Sequence, residues 1–114
     1  ITCELLAKKV ARNTLIEFDK YIAKNKSENR YPVKINNDVT LRDVYRDDSK
    51  ITYEYVMNIN KESFTRVKLY SYGLSAFKRV CALPIFSATD IKVEYLLILD
   101  TEWISMVYDK RDCR

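Results

Sequence analysis

One glycine and two prolines punctuate 114 residues. Glycine enters left-handed turns without steric cost, and proline presets the first corner of a turn. A chain with so little of either makes few tight reversals. It must build them from Asn and Asp, whose short side chains bond their own backbone. Sandwiches and barrels of many strands, which turn roughly every ten residues, are therefore disfavoured. What remains is a set of a few longer elements, and the length suits one domain with one core. With 47% hydrophobic and 32% charged residues, the balance is that of a folded chain rather than a disordered one.

Hydrophobic periodicity places those elements. Leu6, Val10, Ala11, Leu15, Phe18 and Ile22 recur at three- and four-residue spacing, which predicts a helix over 4–24 with Lys20 and Lys24 complementing its dipole. Pro32 prevents its continuation. From Val33 to Ile59 the period falls to two. Val39, Leu41 and Tyr45 form one strand face, and Asp47-Asp48-Ser49-Lys50 forms a turn. Ile51, Tyr53, Tyr55, Met57 and Ile59 then alternate with Thr52, Glu54, Val56 and Asn58.

A second helix is predicted from Lys61 to about Leu83, capped by Asn60, with an apolar stripe of Phe64, Val67, Tyr70, Leu74, Phe77 and Cys81. Gly73 costs such a helix roughly 1 kcal/mol relative to Ala, so a close approach of another element is expected there. Pro84 closes it. Residues 92–99 and 103–109 read as a hairpin around Asp100-Thr101-Glu102. Val93, Tyr95, Leu97 and Leu99 share one face, and Leu96 and Ile98 make the other apolar, the pattern of a central strand covered on both sides. The expected architecture is a single α+β domain over 1–114: two amphipathic helices packed with a small, mostly antiparallel sheet of four to five strands. Phe18, Tyr55, Leu74, Phe77 and Leu97 are its expected core.

The chemistry is narrow. There is no histidine, which removes the Ser-His and Cys-His nucleophiles and every His-containing metal site. One glycine cannot make a phosphate-cradling loop, and Cys3, Cys81 and Cys113 lack the paired spacing that metal ligation uses. No cofactor, metal site or catalytic set is expected. The carboxylate pairs Asp47 with Asp48 and Asp109 with Asp112 lie in turns and tails, so a carboxylate-dependent hydrolase is the weakest reading. The net charge of +4 arises in residues 1–36, where eight Lys or Arg face four acids. That pattern reads as a solvated helix face, not a nucleic-acid site. No stretch nears the ~18 apolar residues of a membrane span; the longest apolar run is Tyr95–Leu99. The chain begins at Ile1, as removal of a signal peptide or trimming to a fragment would leave it.

Cys81 lies on the stripe of the second helix and Cys113 just past the last strand. If that strand runs beside the helix, a bridge between them pins the C-terminus; the alternative is two free thiols in a reducing compartment. A cysteine at a frayed end gains little from burial, which favours the bridge. Cys3 is then left over. Asn25-Lys26-Ser27 matches a glycosylation acceptor in a eukaryotic secretory route.

The run Tyr31-Pro32-Val33-Lys34-Ile35-Asn36-Asn37-Asp38-Val39-Thr40-Leu41, followed by Ile51-Thr52-Tyr53-Glu54-Tyr55, resembles a group of small exported bacterial proteins. That group has a leading helix, a Pro and Thr-x-Leu segment, a Tyr-x-Tyr strand, a Cys-bearing second helix and a terminal Asp-Cys. Val80-Cys81, Tyr95, Tyr108 and Asp112-Cys113 fall in matching places. Tyr31, Asn36 and the Asp100-Thr101-Glu102 turn depart from its pattern. The resemblance covers residues 4–113 and implies export and a Cys81–Cys113 bridge, but no activity.

The expectation for function is a periplasmic or secreted protein that binds another protein, of immunity, inhibitor or secretion-accessory type. The alternative is a small-ligand carrier with a cavity lined by some of the nine tyrosines. Trp103, Tyr108 and Tyr72 are the candidate partner-binding anchors, because each stands off the expected core pattern and aromatic anchors dominate interface energetics.

Overall fold

The computed structural model describes residues 3–58, 65–100 and 102–113. The element order is α1 (Cys3–Ser27), β1 (Val33–Lys34), β2 (Val39–Arg46), β3 (Lys50–Met57), α2 (Arg66–Lys78), α3 (Pro84–Ser87), β4 (Lys92–Ile98) and β5 (Trp103–Tyr108), closed by a 3₁₀ turn at Lys110–Cys113. The strands form one sheet in the order β1-β2-β3-β4-β5. All neighbours are antiparallel except β3 and β4, which run parallel because the chain crosses over through α2 and α3 between them. The fold is α+β.

The turns are made as the glycine shortage requires. Asn29 sits at φ 55° just past α1, the left-handed position that glycine usually fills and Asn tolerates. The Asn36 side chain accepts from the backbone N–H of Asp38 and Val39, and Asp47 accepts from Ser49 and Lys50. The Tyr31–Pro32 peptide is cis.

Register sorts the strand residues onto two faces. Ile51, Tyr53 and Tyr55 pair with Val93, Tyr95 and Leu97, which pair with Tyr108, Met106 and Ile104. This face carries the core, and the helices cover it. Ile85 and Phe86 of α3 and Leu69 and Phe77 of α2 are buried with it, and Leu15 and Phe18 of α1 pack against it. Cys81 and Cys113 form a disulfide with Cα atoms 5.7 Å apart, so the C-terminal turn is tied to the end of α2 as the bridged reading expected. Gly73 also meets its expectation. A Cβ there would collide with the Tyr108 hydroxyl and stand 3.0 Å from its Cζ, so glycine is what lets α2 lie on β5.

Several expectations are corrected. Helix α2 begins at Arg66, where the Thr65 hydroxyl caps by accepting from the Lys68 N–H at 3.1 Å; the expected start at Asn60 and Lys61 lies outside the described residues, as do Ile59 and Phe64. It stops at Lys78, and Pro84 opens α3 rather than merely ending a longer helix, because proline at the first helical position gives up no needed N–H. Its buried face is Leu69, Gly73 and Phe77. Val67 and Tyr70 of the expected stripe are exposed, and Leu74 is half-buried.

Helix α1 runs one residue earlier and three later than expected, and Leu6 and Val10 are exposed, since the face that meets the body is Ala11, Leu15, Phe18, Ile22 and Asn25. In β2 a bulge between Leu41 and Asp43 shifts the phase, so Val44 takes the core position expected for Tyr45. Of the expected core, Phe77 and Leu97 are buried, whereas Phe18, Tyr55 and Leu74 are partly so.

Candidate functional site

The second face of the sheet carries no described helix. Leu96 and Ile98 are half-buried there, so β4 is central in the sheet but covered by other elements on one side only. Cross-strand pairing sets this face out in rows. Tyr45, Thr52, Glu94 and Val107 form one; Asp43, Glu54, Leu96 and Ser105 the next; Thr40, Val56, Ile98 and Trp103 the last.

The middle of the face is polar and fully bonded. Glu54, only 8% exposed, accepts from the Tyr45 hydroxyl at 2.6 Å on one oxygen and from Arg42 Nε and Nη2 at 3.0 and 2.6 Å on the other. Glu94 accepts from Thr52 at 3.1 Å and from the Ser105 hydroxyl, with Lys50 Nζ 3.0 Å away. Burial pushes both carboxyls up, but these donors outweigh it and hold both below the ordinary carboxylate value. The hydrogen bond to Glu54, with burial behind it, pushes the Tyr45 phenol up to about 12. Two carboxylates with every oxygen occupied form a structural lattice. They offer no free base at neutral pH.

One end of the face is apolar. Trp103 is 61% exposed, and Val56 is exposed beside the half-buried Leu96 and Ile98. The bulge that corrects β2 also frees Arg42 to reach inward, and its guanidinium carbon lies 5.7 Å from the Trp103 ring centroid. Arg42 and Trp103 stand on strands three steps apart, roughly 14 Å. Their side chains therefore reach toward one another above β3 and β4. A cation held by Glu54 fixes the tryptophan from one side and leaves its remaining surface to solvent.

The three sequence candidates part company. Trp103 is on the open face. Tyr72, 62% exposed, stands on α2 on the opposite side of the sheet, beside a groove with Val39, Tyr55 and Met57. Tyr108 is a correction: it is 0% exposed and serves as a core residue. Its hydroxyl donates to the Tyr70 carbonyl at 2.7 Å, and its ring stacks on Phe77 with centroids 5.8 Å apart. Ile104, Met106 and Tyr108 share the covered side of β5, and being out of phase with Trp103 was the signal that this tyrosine is internal.

The carboxylate pairs hold turns. Asp47 binds Ser49 and Lys50, the Asp109 carboxylate accepts from Arg111, and Asp112 accepts from the Asp109 N–H. Asn25 lies within α1 and is 4% exposed, so the glycosylation match falls on a buried side chain.

Sequence reasoning missed Arg42, Glu54 and Glu94. The charged residues that interrupt the apolar alternation of β2, β3 and β4 were the available signal. No protein-family model, no curated protein and no solved structure matches the chain. Among the described residues no helix is long and apolar enough to cross a membrane.

Proposed function

We propose that this chain is a non-enzymatic binding module of the exported bacterial kind, an immunity protein, inhibitor or secretion accessory, which takes a protein partner on the open face of its sheet. The observation that carries the reading is Trp103: a large, mostly exposed aromatic, oriented by Arg42 and in one cross-strand row with Val56 and Ile98. An aromatic anchor in an apolar patch with bonded polar groups around it has the anatomy of a binding hot spot. The neighbouring charges already neutralise one another, so the partner's matching surface needs little net charge. The Cys81–Cys113 bridge supports an oxidising compartment, periplasmic or extracellular.

The test is capture of partners from the native host with wild type, Trp103→Ala and Tyr72→Ala. A specific partner kept by Tyr72→Ala and lost by Trp103→Ala is the expected result. A partner that Trp103→Ala retains would overturn it.

A small-ligand role is the second reading. It is favoured by the hydroxyls of Tyr53, Tyr55 and Tyr95, which line clefts between helices and sheet and find no hydrogen-bond partner among the described residues. Burial pushes the Tyr53 and Tyr95 phenols up to about 12, so they stay protonated donors at any physiological pH.

A further inference from the structure

Beneath the C-terminal half of α1, where it passes over β1, β2 and β3, lies a cleft of about 520 Å³. That is within the range of small-molecule sites. Phe18, Tyr21, Tyr31 and Tyr53 line it. No ring contact joins Phe18, Tyr21 or Tyr31 to another described aromatic, although four rings converge on one space. Four aromatic walls without mutual stacking leave a slot for a flat apolar body.

The floor of the slot is Asn25, 4% exposed. Its Nδ2 donates to the Tyr31 hydroxyl at 3.2 Å, and the Tyr31 O–H remains free to donate onward. The Asn25 carbonyl oxygen and second amide hydrogen have no partner among the described residues. A buried amide left half-bonded is costly, and folded proteins avoid it. The oxygen is not sealed in, since no wholly buried side-chain nitrogen or oxygen of the described residues lacks a partner. Asn25 is also among the residues that line the cleft.

Charge narrows the ligand. The one charged residue lining the cleft, Arg30, has its Nε 2.8 Å from Glu28, so its charge is already met. What faces the slot is a neutral acceptor beside neutral donors. This is the complement of a primary carboxamide or lactam, which offers one donor and one acceptor on a single edge.

We infer that the cleft under α1 binds a small uncharged ligand with a planar aromatic body stacked among Phe18, Tyr21, Tyr31 and Tyr53, and a carboxamide edge paired with Asn25 and the Tyr31 hydroxyl. This rests on the small-ligand reading and not on the protein-binding one.

The experiment is titration of the full chain with 2-naphthamide, and separately with 2-naphthoate, followed by amide chemical shifts in a ¹⁵N spectrum. Shifts centred on Asn25, Tyr31 and Tyr53, with the amide binding more tightly than the carboxylate, are expected. Asn25→Leu, close in volume, should weaken the amide at least tenfold, and Tyr31→Phe severalfold, with both variants folded by circular dichroism. If Asn25→Leu does not fold, Tyr31→Phe decides alone. Shifts confined to Tyr55, Tyr72 and Tyr95 would overturn this site while keeping the small-ligand reading. Tighter binding of the carboxylate would overturn the carboxamide. No shift at millimolar probe would overturn both the site and the reading it rests on.

Discussion

On the helix-covered face of the sheet, Ile51, Val93 and Tyr108 are sealed under α2 and α3. On the opposite face of β3, Thr52 and Glu54 are buried almost as deeply with no described helix above them. The same alternating strands build both surfaces by different physics. The covered face excludes water with other elements, and its polar atoms are few: the Tyr108 hydroxyl is met by the Tyr70 carbonyl. The open face excludes water with its own long side chains. Arg42, Tyr45 and Lys50 lie over their neighbours and, with the hydroxyls of Thr52 and Ser105, satisfy each carboxylate oxygen beneath. Burial on a sheet is thus no sign that an element covers it, and a face can be ordered yet still available to a partner.

The comparison can be broken most sharply at Tyr108. Its replacement by Ala removes a fully buried ring beside Gly73, where no side chain can collapse inward. The expected loss is about 3–5 kcal/mol by urea unfolding. A loss under about 1 kcal/mol would mean that β5 is not held under α2. The bridge comes next. Cys113→Ala opens a loop spanning a 32-residue separation and should cost roughly 3–4 kcal/mol in the chain-entropy model. Reductant should then have little further effect on the variant, while it destabilises wild type by a similar amount.

Gly73→Ala tests the interlock of α2 and β5. The added methyl gains about 1 kcal/mol of helix propensity but overpacks against Tyr108, for a net loss of roughly 1–2 kcal/mol. In a Tyr108→Phe background the cost should shrink, because the nearest atom is gone. Equal costs in the two backgrounds would place the clash elsewhere.

The open face should respond far less. Trp103→Ala is expected to cost about 1 kcal/mol or less, mostly the contact with Arg42, with the loss appearing in partner binding instead. A large loss of stability would make Trp103 a core cap and remove it as an anchor. The smallest effect is in acid. Glu54 and Glu94 have folded values held below the ordinary 4.5, so their stabilisation is fully present above that value and is lost as pH falls through the folded values. Unfolding midpoints measured from pH 7 to 3 should fall below about 4.5, and Glu54→Gln should flatten that limb. An unchanged limb in the variant would show that Glu54 is not a net contributor.

What the sequence by itself determined is what local chemistry settles. Alternation in Ile51–Met57 and the paired runs around residue 100 yield strands, because side chains alternate across any strand whatever it packs on. Asn29, Asn36 and Asp47 make turns because each bonds or bends its own backbone, and a chain with one glycine has few other means. Gly73 announced a close approach, since glycine in a helix interior is otherwise only a cost.

The tertiary structure alone decided the rest. Periodicity gives a helix several adjoining candidate faces, and packing on the sheet core buried Leu69, Gly73 and Phe77 while Val67 and Tyr70 stayed exposed. A one-residue bulge at Arg42, invisible to any count of apolar positions, exchanged Tyr45 for Val44 in the core and swung an arginine onto Trp103. Trp103 and Tyr108 are both aromatic residues of one strand, and only the covering helix made one internal and left the other exposed. Sequence fixes the phase of an element; which phase meets water depends on neighbours brought from distant parts of the chain, and only packing can choose among them.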